Sequence, residues 1–429
     1  MSRVAGAIAI AAVSLALVSC SASPTVAPSS TSPPGAPSSS GASAPTPSAT
    51  DPATDLAAID DAVRHTHTNA FAVIPEADWT KHLDDVKARF GSMTPDQRVV
   101  AMAGLAGLLD THTQFYPTSN ERIFNAYLYR FPEGLYVVTA DDPSLVGSRL
   151  LAVDGTPIGK IEPKIRALIP ADNESARDNN IWVLGYPDYL HGLGIIDDKQ
   201  KAAFDVVGLN GRRRTVTVTN VDNGQFGSAH HIEGSLSGTG TEAVRRRQEK
   251  VWSRLDKRDH AFLLSLNDYT SDGVDAALAA MAAALRSRAA THVVVDMRYL
   301  RGGDPSPFFA IVSALAADPH LRTKESLTVL IGRENESAGT VMAEAFDTQT
   351  PARLVGEPTP ARADNFLCSC TDVPLPVSGY TFSVPTSRAG NGDTRDAVVP
   401  DVVMRMTAAD YFAGRDKVLT AALTGTLPH

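Results

Sequence analysis

Residues 330–346 read LIGRENESAGTVMAEAF, an apolar run, a polar turn, and a helix of small residues starting directly after Ser337. A serine at such a junction has two roles open to it. Its hydroxyl can cap the orphan N–H groups of the helix. It can also act as a nucleophile, with the positive end of the helix dipole and neighbouring N–H groups facing a developing oxyanion. Ala338 and Gly339 leave room for a substrate backbone beside it. Other reactive side chains offer less. His65 and His67, in HTHTNAF, have a spacing that would suit a metal pair on a strand, but no carboxylate pattern follows; they read as structural or cleft residues. Cys368 and Cys370, in LCSC, lack nearby histidines for a metal, and a disulfide across one residue would close a strained ring. They read as a loop pair, free or reversibly oxidised. Zinc spacings, phosphate-cradling loops and nucleotide fingerprints do not occur in the sequence, so no cofactor is expected.

The chain of 429 residues is too long for one ordinary core, and two or three domains are expected. A hydrophobic content of 43% with 20% charged residues describes a soluble globular protein, and the net charge of −9 argues against a nucleic-acid partner. The basic run RRRQEK at 245–250 reads as one solvated helix face.

The first residues have the pattern of an export signal: Arg3, then the apolar VAGAIAIAAVSLALV, then LVSC. That ending resembles a bacterial lipobox, in which Cys20 would be the lipid-modified first residue of the mature chain. Residues 1–19 are then a lipoprotein signal peptide, and an acyl anchor would hold the exported protein to the outer face of the cell membrane. A plain secretory signal with a chance cysteine is the alternative. Residues 20–54, rich in Ser, Pro and Ala, cannot bury enough surface to offset their ordering entropy and read as a disordered tether.

Residues 55–128 carry apolar side chains at helical spacing and end in DTHTQFYP; Thr94-Pro95 marks a helix start. Residues 129–225 are strand-rich, with GLYVVTA, SRLLAVDG, AAFDVVGL and GRRRTVTVTNV around one helix, IGKIEPKIRALI. Small strands around one helix look like a PDZ-type module, which binds extended peptides at a sheet edge; a merely structural β-domain is the alternative. Residues 226–257 read as a polar connection with a charged helix. From 258 to 429 buried strands and helices alternate, the pattern of an α/β core with a largely parallel sheet. Ligand sites in such sheets gather at the carboxyl ends of the strands, where Ser337 falls.

Four segments, LLDTHTQFYP, VVVDMRYLRGGDP, IGRENESAGTVMAEAF and ARLVGEPT with VVPDV, resemble in order and spacing those of the C-terminal processing peptidase and tricorn-core serine peptidase family. The resemblance covers most of residues 55–425. It implies that Ser337 is the nucleophile. One branch of the family uses a lysine as base, but GEPTPAR places Arg362 there, and arginine does not accept a proton. The tricorn-like branch uses a histidine of the helical unit, which His112 matches, and imidazole titrates in the range that suits proton transfer. A histidine hydrogen-bonded between Asp110 and Thr113 is the competing reading of His112. Gly302 and Gly303, in RGGDP, would turn backbone N–H groups inward and, with Ala338, form the oxyanion hole. Two departures stand out. The Asn of that turn is Leu300 here, and the glutamate that precedes the Pro-Asp step is missing from NGDTRDAVVPDV. Asp396 and Asp393 are the candidate orienting acids in its place.

The sequence therefore predicts an envelope-anchored serine peptidase acting on a peptide or protein through a Ser-His mechanism. Two alternatives remain open: an inactive peptidase-like lipoprotein that binds peptides or a partner protein, and a serine hydrolase of non-peptide esters or amides.

Overall fold

The computed structural model describes residues 51–117, 122–229, 240–364, 366–389, 392 and 394–427. The expected signal segment, nearly all of the tether, Cys20 and Asp393 lie outside the described residues. Among the described residues the chain is a mixed α/β protein with thirteen α-helices and three sheets, and no helix there is long and apolar enough to cross a membrane.

The first helices form as their spacing dictates. Glu76–Phe90 buries Trp79, Leu83, Val86 and Phe90 along one stripe. Pro95–Ala106 starts with a capping box, in which Gln97 N–H donates to Thr94 Oγ1 (3.3 Å) and Thr94 N–H donates to Gln97 Oε1 (3.0 Å).

A six-stranded sheet runs in the order Val402–Val403, Arg353–Gly356, Leu327–Ile331, His292–Asp296, Ala261–Leu266 and Val251–Asp256. All neighbours pair in parallel except Val251–Asp256, which is antiparallel at one edge. Leu327–Ile331 is buried at every position, as a parallel strand covered on both faces must be. The helices Val274–Arg286, Phe309–Ala317 and Ala338–Gln349 pack on one face through Met281, Ile311, Met342 and Phe346. The helix Lys417–Thr424 covers the other through Val418, Leu419 and Leu423. Each such buried side chain contributes roughly 1.5–3 kcal/mol.

A second sheet orders Arg122–Phe124, Arg213–Asp222, Lys201–Val207, Arg149–Val153, Gly134–Thr139 and Tyr127–Phe131, with Thr156–Pro157 paired to Arg149–Val153. The expected helix is present as Ile158–Arg166, but it is not alone. Glu174–Asn179, a 3-10 turn Ile181–Gly185 and Pro187–Gly192 follow it.

The third sheet joins distant parts of the chain. Gln114–Tyr116 pairs antiparallel with Thr381–Arg388, which pairs in turn with Phe366–Pro374. Thr68 N–H donates to Pro385 O (2.9 Å), and the Asp55 carboxylate accepts from Val377 N–H (2.8 Å) and Ser378 N–H (2.9 Å).

Three local expectations are corrected. Val251–Asp256 is a strand of the core sheet where a connection was expected. The basic run is a solvated face only in part: Arg245, Gln248, Glu249 and Lys250 are exposed, but Arg247 is buried, forms an ion pair with Glu334 and lies over the Tyr299 ring. Cys370 lies within a strand where a loop was expected, and of the two states expected, free or oxidised, it is in the oxidised one, disulfide-bonded.

Candidate active site

Ser337 sits at the junction between Leu327–Ile331 and the helix Ala338–Gln349, at φ 52°, ψ −120°. A non-glycine residue in that region is strained, and such strain is kept where the surrounding structure fixes it. Its side chain makes no cap hydrogen bond to the helix, so the capping role does not explain it. The neighbouring turn is tightly fixed. Asn335, fully buried, accepts from Gly332 N–H through Oδ1 (2.7 Å), and its Nδ2 donates to Met297 O (2.5 Å) and Leu300 O (2.8 Å). Thr340 Oγ1 donates to Asn335 O (2.6 Å).

These bonds tie the serine turn to the loop that follows His292–Asp296. A Cβ on Gly339 would lie 2.4 Å from Leu300 O, so glycine there permits the close approach. The base of the loop is clamped by Arg298, which donates to Asp296 (2.9 and 2.6 Å) and Asp416 (3.1 and 2.7 Å). Leu300, in place of an asparagine, buries its side chain in the core while its carbonyl bonds to Asn335. The turn that this departure put in question is thus held from the opposite side. Gly302 comes next to the serine: a Cβ there would lie 3.3 Å from Ser337 Cβ and 3.7 Å from Oγ. Gly303 has φ 148°, and a Cβ there would meet the Tyr269 ring at 2.6 Å, so only glycine fits.

His112 lies in the turn between Pro95–Ala106 and Gln114–Tyr116 and is buried. Its Nδ1 has no hydrogen-bond partner among the described residues. Burial lowers its pKa, against the opposing charges of Asp110 and Glu336. Glu336 immediately precedes Ser337. The His112 turn and the serine turn line one cavity of about 290 Å³, to which Thr111, Thr113, Arg301 and Glu336 contribute. Arg301 holds Glu336 through Nε (3.1 Å) and Nη2 (2.6 Å) to Oε1.

The nearest carboxylate to His112 has another partner. Asp110 accepts from the His112 main-chain N–H (2.9 Å) and Thr113 Oγ1 (3.0 Å), and it pairs with His67 Nε2 (2.6 Å). Asp110 therefore shapes the turn rather than holding the His112 ring. Asp396 is exposed, and its main-chain carbonyl accepts from Asn173 Nδ2 (2.6 Å). The main-chain N–H of Arg362 donates to Asp172 Oδ2 (3.2 Å), and Thr111 Oγ1 accepts from Asp172 N–H (2.9 Å). Burial first, and then the charge of Asp110, push the Asp172 carboxyl up to about 7, and its Oδ1 has no partner.

Reading the sequence did not single out Asn335, Glu336, Arg301 or Asp172. The polar run RENES was a signal for the first two, since five polar residues between a buried strand and a helix need partners. Asp172 gave no such signal.

The fold is similar to that of solved CPAF structures. Among solved structures, a CPAF mutant is similar to the chain with a TM-score of 0.62 and 13% identity, covering 88% of this chain and 97% of that one. Mature CPAF complexed with lactacystin gives 0.62 and 13%, over 88% and 98%. The photosystem II D1 C-terminal processing protease gives 0.37 and 17%, over 82% and 92%. No family model matches the sequence, and no curated protein matches it.

Proposed function

We propose that the chain is a serine peptidase in which Ser337 is the nucleophile and His112 the base. The observation that carries this reading is Ser337 itself: strained, without a cap bond, at a helix N-terminus and beside Gly302. Ser337 Oγ attacks a peptide carbonyl and forms the acyl–oxygen bond while its proton passes to the His112 imidazole. His112 gives that proton to the leaving amine as the C–N bond breaks. Water then attacks the ester by the same route, returning the serine hydroxyl and releasing the carboxylic acid. The burial that lowers the His112 pKa keeps the imidazole neutral at neutral pH, the state in which it accepts a proton. Ala338 N–H, at the first helical position, and the backbone of Gly302 and Gly303 form the oxyanion hole. Arg362 at the alternative base position argues for the Ser-His route over Ser-Lys.

The sheet of 129–225 with its helix Ile158–Arg166 serves in this reading as a PDZ-like module that takes up an extended chain. Cys20 anchors the exported protein to the outer face of the membrane.

The test is labelling by a serine-reactive phosphonate. Wild type should label, and Ser337→Ala and His112→Ala should not. Cleavage of peptides set against that of simple esters decides between a peptidase and a hydrolase of other acyl compounds. One observation favours a second reading, an inactive peptide-binding protein: among the described residues, no acid holds His112 Nδ1. Peptide binding by a folded wild type that takes no label would establish it.

A further inference from the structure

The cavity of about 290 Å³ beside the serine turn has walls of aromatic rings. On one side stand Trp182 and Tyr186. Trp182 stacks on Tyr127 (5.7 Å between centroids, 21° between planes) and meets Tyr186 edge-on (5.5 Å, 73°). On the other side are Phe115 and Tyr116, in the strand directly after His112, with Phe115 held edge-on by Tyr380 (5.9 Å, 71°). These ring contacts fix the walls in advance, so little freedom is lost when the space is filled. Thr111, Thr113, Gln114, Asn180 and Asn223 add polar groups to the lining, and its two charged members among the described residues, Arg301 and Glu336, pair with one another and leave no net charge to attract an acidic or basic side chain. Glu336 is the residue before Ser337, so the cavity borders the serine turn.

We infer that this cavity is the specificity pocket of the enzyme and takes an aromatic side chain of the substrate at a residue flanking the scissile bond. The inference rests on the peptidase reading for its position but not for its binding energy. An aromatic ring fills such a space and gains dispersion contacts with the held rings of Trp182, Tyr186 and Phe115, whereas a methyl group leaves most of it void.

The experiment uses the full chain carrying Ser337→Ala, titrated by calorimetry with two capped peptides that differ only in one phenylalanine or alanine. The phenylalanine peptide should bind at least about tenfold more tightly, and Trp182→Ala should remove most of that ratio. Equal affinities for the two peptides overturn the inference, as does a ratio unchanged by a folded Trp182→Ala. The ratio on the Ser337→Ala chain decides the matter even where Trp182→Ala does not fold. Wild-type turnover of the same peptides separates the two claims. Discrimination in binding without hydrolysis keeps the pocket and removes the peptidase; hydrolysis indifferent to the ring does the reverse.

Discussion

His67 Nε2 lies 2.6 Å from Asp110 Oδ2 with both side chains fully buried, so the carboxylate next to His112 in sequence is committed to a different imidazole. Burial alone would raise the Asp110 pKa, but the hydrogen bond and charge of His67, with the charge and N–H of His112, bring it below the ordinary carboxylate value. A depressed acid contributes stability above its unfolded pKa and loses it as pH falls through the folded one. Asp110→Ala should therefore cost about 3 kcal/mol at pH 7. Urea unfolding should show that deficit shrinking below about pH 4; a deficit independent of pH down to acid would contradict this account.

The lowered pKa of His112 sets the acid limb of activity. Since only neutral imidazole accepts a proton, kcat/KM should fall on acidification with a midpoint below about 6.5. The Glu336 charge stabilises the imidazolium, so Glu336→Gln should move that midpoint further to acid. A pH–rate profile of both proteins checks the direction, and a shift towards alkaline pH would refute it.

Ser337→Ala should abolish peptide hydrolysis by at least about a thousandfold. It should lose none of the roughly 1 kcal/mol that a serine cap contributes, because no cap bond is present. Retained turnover in a folded variant would remove the proposed nucleophile.

Asp172 titrates in the opposite sense to Asp110. Its folded pKa of about 7 lies above the unfolded one, so the native state holds an extra proton between the two values. Stability from this group is complete below about pH 4 and declines as pH rises to about 7. Asp172→Asn should flatten that decline and stabilise the protein at pH 8 by on the order of 1–2 kcal/mol. Thermal unfolding across pH 4 to 8 measures it, and unchanged curves would show that the carboxyl ionises freely.

Much of the core was legible in the sequence because its signals are local. The runs AFLLSLN, HVVVDMR and SLTVLIG announce strands buried on both faces, and the small-residue helix after Ser337 marks the strand's carboxyl end. The segments containing Ser337, Gly302 and His112 could be named for the same reason. Long-range pairings could not. Nothing in QFY of Gln114–Tyr116 says that Phe382 lies opposite Phe115, and a three-residue strand has too few positions for a periodicity. Arg247 was misread because a basic run gives no hint that Glu334, 87 residues on, waits in the interior. Asn335 replaces the support expected from position 300 through two carbonyls, and carbonyls are invisible to residue type.

The pairing of Gln114–Tyr116 with Thr381–Arg388 also fixes when the machinery can come into being during synthesis. The strand that leaves the histidine turn has no pairing partner until residue 383 has been made, after both the imidazole and the hydroxyl are in the growing chain. A ribosome-bound fragment ending before that point carries Ser337 and His112 but lacks the strand on which the segment after the histidine turn pairs.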